Sequence, residues 1–248
     1  EVDEFANIIK YNKDVKIGKL ENGLTYYIRQ NSMPANKVEL RLVVNAGSIL
    51  ETDAQRGLAH FMEHMNFNGT KNFQHNELVD YLQSIGVKFG QHLNAYTSFD
   101  ETVYILPLPS DDAEKLERGF DIIEDWAFNC LLTPEEIDKE RGVVLEELRL
   151  GLGADQRMLA EYLPKMMYNS QYAKRLPIGS KEVLETFKHQ ELQDFYTSWY
   201  RPDLMAVVVV GDIDVAEMEQ KIKDHFGSYK NPENKKERTE FTVPDHEE

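Results

Sequence analysis

Cysteine is nearly missing from this 248-residue chain: Cys130 stands alone, so no internal disulfide can form and the fold must rest on burial. Basic residues are scarce beside acidic ones, 28 against 44, and the net charge of -16 opposes binding to a nucleic-acid backbone or an anionic membrane surface. Long apolar runs are absent too. The longest, Met205 to Val210, has the length of a buried strand and falls far short of a membrane span. The opening Glu1-Val2-Asp3-Glu4 lacks the basic and apolar regions of a signal peptide, so any leader is expected to have been removed. No internal repeat or low-complexity tract interrupts the chain. What is present is a 41% hydrophobic content, enough for one substantial core at this length.

The first part reads as strands. Lys16 to Leu20 and Leu24 to Gln30 flank Glu21-Asn22-Gly23, and Asn-Gly is the strongest short hairpin signal. Val38 to Ala46 alternates into a third strand. Helices are expected near Gln55 to Phe67 and from His75 to Ile85, the second closed by Gly86. Leu93 to Leu108 reads as extended, and Asp111 to Asn129 as helical. Thr133-Pro134-Glu135-Glu136 then supplies an N-cap, a first-position proline and early acidic charge for a helix expected to continue past Leu150. Shorter helices near Lys181 to Phe187 and Gln190 to Tyr200 precede a buried strand, Leu204 to Val210, and a helix from Val215 to Phe226. The class is α+β, with a mixed sheet backed by helices. Residues 1–229 read as one domain, and the charged, proline-containing stretch 230–248 as a linker with no period that would bury anything.

The sharpest chemical signal is His60-Phe61-Met62-Glu63-His64 on the first of these helices. Two histidines four apart are separated by about 40° of arc, so both imidazoles can converge on one ion. Glu63 lies within about 60° of His60, placed to act on a water rather than on the metal. This is H-x-x-E-H, the reverse of H-E-x-x-H, and it serves the same chemistry. Coincidence would produce the pattern in about one shuffled chain of this composition in fifty, so its context carries the rest.

A catalytic zinc needs a third protein ligand and an open position. On the helix beginning at Thr133, Val143, Val144, Leu145, Leu148, Leu150 and Leu152 define a broad apolar arc that contains both Glu140 and Glu147, with Glu146 about 120° from Glu140 and outside it. Two carboxylates in an apolar arc need partners. They are about 10 Å apart along the axis, so one is expected as the ligand and the other as its support. The bland alternative is a half-buried salt bridge to Arg141, which falls on the same arc.

His60-Phe61-Met62-Glu63-His64, Phe67-Asn68-Gly69-Thr70 and Glu140-Arg141 followed by Glu147 resemble the insulinase and pitrilysin peptidases, which include mitochondrial processing peptidase. Leu93-Asn94-Ala95-Tyr96-Thr97, Glu101-Thr102-Val103-Tyr104, Trp199-Tyr200-Arg201-Pro202 and Val208-Val209-Val210-Gly211-Asp212 extend the likeness from about Lys16 to Phe226. The resemblance implies the metallohydrolase fold of that family and one zinc ion held by His60, His64 and Glu147. It makes Glu63 the general base and Glu140 the supporting acid. It also implies that a polypeptide substrate adds as a strand along Asn94, Ala95, Tyr96 and Thr97, where backbone pairing accepts any sequence and alternate side chains border a pocket. The implied activity is that of a zinc metalloendopeptidase; the alternative is a non-catalytic chamber or binding subunit of the same fold. A purely structural zinc site is disfavoured by the glutamate beside the metal and by the lack of a cysteine set.

By the same resemblance, a zinc-bearing half pairs with a related half, so further C-terminal domains or a homologous non-catalytic subunit are expected, and the chain alone is expected to cleave poorly. The motif phrases are similar to those of bacterial periplasmic or secreted relatives. Among other residues, His75, His189, His225 and His246 read as surface histidines, His92 has no assigned role, and Cys130 reads as a small core residue.

Overall fold

The computed structural model describes residues 12–87, 95–151 and 153–245. Six strands, β1 (Lys16–Lys19), β2 (Thr25–Gln30), β3 (Lys37–Val44), β4 (Ala95–Thr97), β5 (Thr102–Pro109) and β6 (Met205–Gly211), form one sheet in the order β1-β2-β6-β3-β5-β4. Every pairing is antiparallel except β2 with β6. The α+β expectation of a mixed, largely antiparallel sheet is therefore met. The late strand β6 sits between β2 and β3, so the last third of the chain completes the centre of a sheet whose other strands come from the first 109 residues.

Alternation decides which face is covered. In β6, Met205, Val207 and Val209 are buried while Val210 on the opposite face is 36% exposed. The buried face is roofed by α3 (Ala113–Phe128) and α8 (Val215–Phe226). Asp112 caps α3 by accepting from the Lys115 amide, and its inward stripe carries Leu116, Phe120, Ile123 and Ala127 at helical spacing. A Cβ at Gly119 would lie 2.1 Å from Leu108 Cδ1, so glycine here lets α3 lie close to the sheet without displacing the Leu108 side chain. Asp214 caps α8 in the same manner as Asp112 caps α3.

His225 departs from its surface reading. Its side chain on α8 is only 10% exposed, and it lies between two carboxylates of α3, with Nδ1 2.6 Å from Glu124 and Nε2 3.0 Å from Glu117. Tyr229 donates to the other oxygen of Glu124, and Lys221 pairs with Glu117. A lone histidine in polar sequence surroundings gave no sign of this, because its partners are more than 100 residues away.

The remaining helices are α1 (Leu58–Met65), α2 (Glu77–Ser84), α4 (Pro134–Leu150), α5 (Ala154–Met166), α6 (Lys181–Thr186) and α7 (His189–Trp199). The helix opened by Thr133 and Pro134 stops at Leu150 instead of continuing. Gly151 and Gly153 each cost about 1 kcal/mol in a helix interior, and the chain restarts separately as α5. Beyond α8, residues up to 245 form no helix or strand, yet they are pinned. Asn231 bonds Asp203 and Asn22, Lys235 pairs with Asp203, Arg238 donates to the Asn45 carbonyl, and Phe241 packs against the core.

Candidate metal centre

Helix α1 carries the motif, and its start is held by an unusual cap. Gly57 stands at φ +104°, where an added Cβ would be strained and 3.0 Å from the Gly179 Cα, and it offers no side chain to cap the helix. Instead the carboxylate of Glu51, buried beneath the surface, accepts from the Gly57 amide at 3.0 Å and the Ala59 amide at 2.9 Å. Burial pushes its pKa up to about 8, against the opposing pull of those two amides and of Arg175 and Arg56. Arg175 also donates to the Glu51 carbonyl. Glu51 was not legible in the sequence; its only hint was an acid directly after the apolar pair Ile49-Leu50.

From that start, Leu58, Ala59, Phe61, Met62 and Met65 face the core, which turns His60, Glu63 and His64 together toward α4 and β4. The rings of His60 and His64 lie edge to face, 4.6 Å between centroids, with their Nε2 atoms 3.2 Å apart. Glu147 on α4 brings one carboxylate oxygen to 3.2 Å from His64 Nε2 and the other to 3.6 Å from His60 Nε2. Ligand atoms about 2.0–2.1 Å from one tetrahedral ion lie about 3.3 Å from each other, so these spacings suit a single zinc. Two imidazole nitrogens and a carboxylate, with no thiolate, are also a donor set zinc accepts. Among the described residues, the only other grouping of this kind is Asp121, Glu124 and His225, whose imidazole is already engaged by carboxylates on both nitrogens.

Glu140, 12% exposed, holds His64 Nδ1 at 2.7 Å and leaves Nε2 facing the cluster. Burial lowers the pKa of His64, but its bonds to Glu140 and Glu147 outweigh burial and push it up to about 9. Burial, joined by the charge of His64, takes His60 down to about 4. The hydrogen bond from His64 holds Glu147 below the usual carboxylate range. Glu63 moves the other way: burial raises it, although the Thr97 hydroxyl donates to its Oε2 at 2.5 Å and pulls it back.

The structure thus brings His60, Glu63, His64, Glu140 and Glu147 together. Arg141 bonds neither Glu140 nor Glu147. It lies over the Phe187 ring at 4.0 Å and donates to the carbonyls of Leu184 and Phe187, with Asp138 its ion-pair partner. The apolar arc expected around both glutamates is narrower than its sequence suggested, since Val143 and Leu150 are exposed and only Ile137 and Val144 of α4 are fully buried. Glu146 pairs with Arg149 at the surface.

Of the expected substrate strand, Asn94 lies outside the described residues, as does His92. Ala95, Tyr96 and Thr97 form β4 at the edge of the sheet, next to α1. Alternation splits them: Thr97 faces Glu63, whereas Tyr96 borders a groove of about 1390 Å³ on the other face with Val43, Val103, Ile105, Val208 and Val210.

The chain matches the family described as Insulinase (Peptidase family M16) over residues 26–178, and the one described as Peptidase M16 inactive domain over residues 186–248. It is 40% identical over 240 residues to the probable zinc protease PqqL of Haemophilus influenzae, covering 96% of this chain and 26% of that protein. It is 40% identical over 232 residues to the zinc protease PQQL-like of Arabidopsis thaliana, covering 93% of this chain and 24% of that protein. The chain therefore spans about a quarter of the length of these curated relatives. Its fold is similar to the crystal structure of the first half of the periplasmic protease PqqL from Escherichia coli, with a TM-score of 0.87 and 36% identity over 95% of this chain and 50% of that one.

Proposed function

Because this chain belongs to the insulinase family, peptidase family M16, we propose that it is the zinc-bearing catalytic domain of a metalloendopeptidase that cuts extended polypeptides. The observation that carries this reading is the convergence of His60 Nε2, His64 Nε2 and the Glu147 carboxylate beside the half-buried Glu63. His60, His64 and Glu147 would hold one zinc ion. When bound, the ion supplies Lewis acidity, polarising the scissile carbonyl and making water easier to deprotonate near neutral pH.

The chain's own residues do the rest. Glu63 takes the proton of the attacking water and delivers it to the leaving amine. Thr97 donates to Glu63 Oε2 and so orients the carboxylate. Glu140 binds His64 Nδ1 and so fixes the ring with Nε2 toward the ion. Strand β4, with its outer edge free among the described residues, offers backbone groups along which a peptide adds as a further strand, with Ala95, Tyr96 and Thr97 beneath it and Asn94 before them.

Residues 1–229 act as the catalytic domain and 230–248 as a linker toward a second domain; the partners are further C-terminal domains of the same protein or a homologous non-catalytic subunit. The chain alone, lacking the contacts of those parts, cleaves poorly, because catalysis depends on positioning and on exclusion of water. The periplasm is the compartment favoured by the likeness to PqqL, and no helix of the described residues is long and apolar enough to cross a membrane.

The deciding experiment measures zinc content and cleavage of a long unstructured peptide by the full-length protein and its His64→Ala variant. About one zinc per chain with cleavage, both lost in the variant, is expected. Zinc without cleavage would make the protein a non-catalytic member of the fold, and tight zinc in the variant would move the metal elsewhere.

A further inference from the structure

Glu140 reaches His64 with one oxygen; what holds its other oxygen is Asn68. The Asn68 side-chain amide donates to Glu140 Oε2 at 2.5 Å, while Oε1 faces His64 Nδ1 at 2.7 Å. A carboxylate oxygen only accepts, so the atom of Asn68 turned toward it is the NH₂ group. Glu140 is 12% exposed, and a carboxylate so enclosed keeps one orientation only if both oxygens are satisfied.

Asn68 is itself well anchored. It lies in the turn that leaves α1, where its own amide bonds the Met65 carbonyl. Two residues on, Thr70 bridges to Cys130 and donates to Asp125, which also accepts from Asn72 and Asn129. The Leu131 amide bonds the Gly69 carbonyl, and α4 begins three residues later. Asn68 therefore ties the exit of α1 to the middle of α4. Those two helices carry the three metal-facing residues, and Glu147 lies two turns beyond Glu140 on the same helix, about 10 Å along its axis.

We propose that Asn68 is a positioning residue of the metal centre. By holding Glu140, it sets the ring orientation of His64 and the approach of Glu147 to the histidine pair. The inference rests on the zinc reading above and deepens it. Asn68 touches neither the reacting atoms nor the ion, so it acts only through Glu140.

The test is zinc affinity of the full-length protein by chelator competition, for wild type, Asn68→Leu, Asn68→Asp, Asn68→Gln, Glu140→Gln and the Asn68→Leu/Glu140→Gln double variant. Asn68→Leu and the isosteric Asn68→Asp, neither of which offers a donor to Glu140 at neutral pH, should bind zinc about 10–100-fold more weakly. Asn68→Gln, which keeps an amide donor, should recover most of that loss. The double variant should match Glu140→Gln within about threefold, because the two changes break one chain of bonds. Unchanged affinity in the Leu and Asp variants overturns the inference. So do losses that add in the double variant, or a Gln variant as weak as Leu, since these describe a residue needed for folding of the turn rather than for Glu140. A Leu variant that fails to fold leaves the Asp and Gln comparison to decide. A wild-type protein without zinc would remove the metal centre itself, which separates failure of that reading from failure of this one.

Discussion

The Thr97 hydroxyl, on the edge strand β4, donates to Glu63 Oε2 on helix α1 across 2.5 Å. The group assigned to move the proton is thereby tied to the strand assigned to receive the substrate. Any shift of β4 is felt at the carboxylate, and the geometry of Glu63 depends on a residue 34 positions away.

Glu63→Gln should leave zinc content unchanged and lower kcat of the full-length protein about 10²–10⁴-fold, because an amide cannot take the proton of water. Thr97→Val should lower kcat by about 10-fold or more through loss of a charge-assisted hydrogen bond, and Thr97→Ser should restore it. Steady-state cleavage with zinc analysis of each variant checks both; near-normal kcat in Glu63→Gln would place the base elsewhere.

Neighbouring glutamates on α4 should behave differently. Glu147→Gln should weaken zinc retention severely, because it removes the carboxylate that faces both Nε2 atoms. Glu146→Gln should do almost nothing to it, since Glu146 pairs with the exposed Arg149 at the surface. Equal zinc loss in the two variants would contradict the orientation of α4.

Glu51→Leu should destabilise the fold by about 1–3 kcal/mol per amide left unpaired, because the Gly57 and Ala59 amides would be buried without an acceptor. Thermal unfolding should show a drop of several degrees, with about 2–4 °C for each kcal/mol in a chain of this size. A variant as stable as wild type would mean that α1 does not need this cap.

The α3–α8 contact should confer pH-dependent stability. Burial lowers the pKa of His225, but its bonds to Glu124 and Glu117 prevail and raise it, while Lys221 and His225 help hold Glu117 below its usual range. Burial raises Glu124, yet its bonds to His225 and Tyr229 leave it lowered. Asp121, raised by burial and facing Arg118, and Lys71, whose charge helps lower Glu124, also face this cluster. A raised histidine contributes stability that is full below its unfolded value of about 6.5 and is lost as pH climbs through the folded value. The lowered glutamates contribute above about 4.5 and lose their share as pH falls through their folded values. The destabilisation caused by His225→Gln should therefore be greatest between about pH 4.5 and 6.5 and shrink as pH rises through the folded value of His225. Melting temperatures of both proteins across that range test it, and a difference that grows with pH would reverse the assignment.

Much of this protein was legible in local spacing. The Asn22-Gly23 turn and alternating residues announced β1, β2 and β3, and Thr133-Pro134 announced the start of α4. Boundaries were less legible: α1 is shorter than its periodic stretch because residues 53–55 close a 3-10 turn, and α4 is cut by Gly151 and Gly153. The choice between Glu140 and Glu147 was not available from the helical wheel, which placed both in one arc and left Arg141 as a rival partner.

Periodicity along the chain sufficed to put His60, Glu63 and His64 on one side of a helix, because a helix fixes the direction of residues three and four apart whatever surrounds it. It could not reveal that Thr97 restrains Glu63, that Asn68 grips Glu140, that Glu51 caps the helix or that β6 enters the middle of the sheet. Those relationships join segments from 6 to more than 170 residues apart, and they exist only once burial of the core has forced the segments together. The sequence by itself determined the reactive groups and the helix that displays them. Tertiary structure alone decided which groups orient one another, since a hydrogen bond needs its partners within about 3 Å and only packing brings distant residues that close.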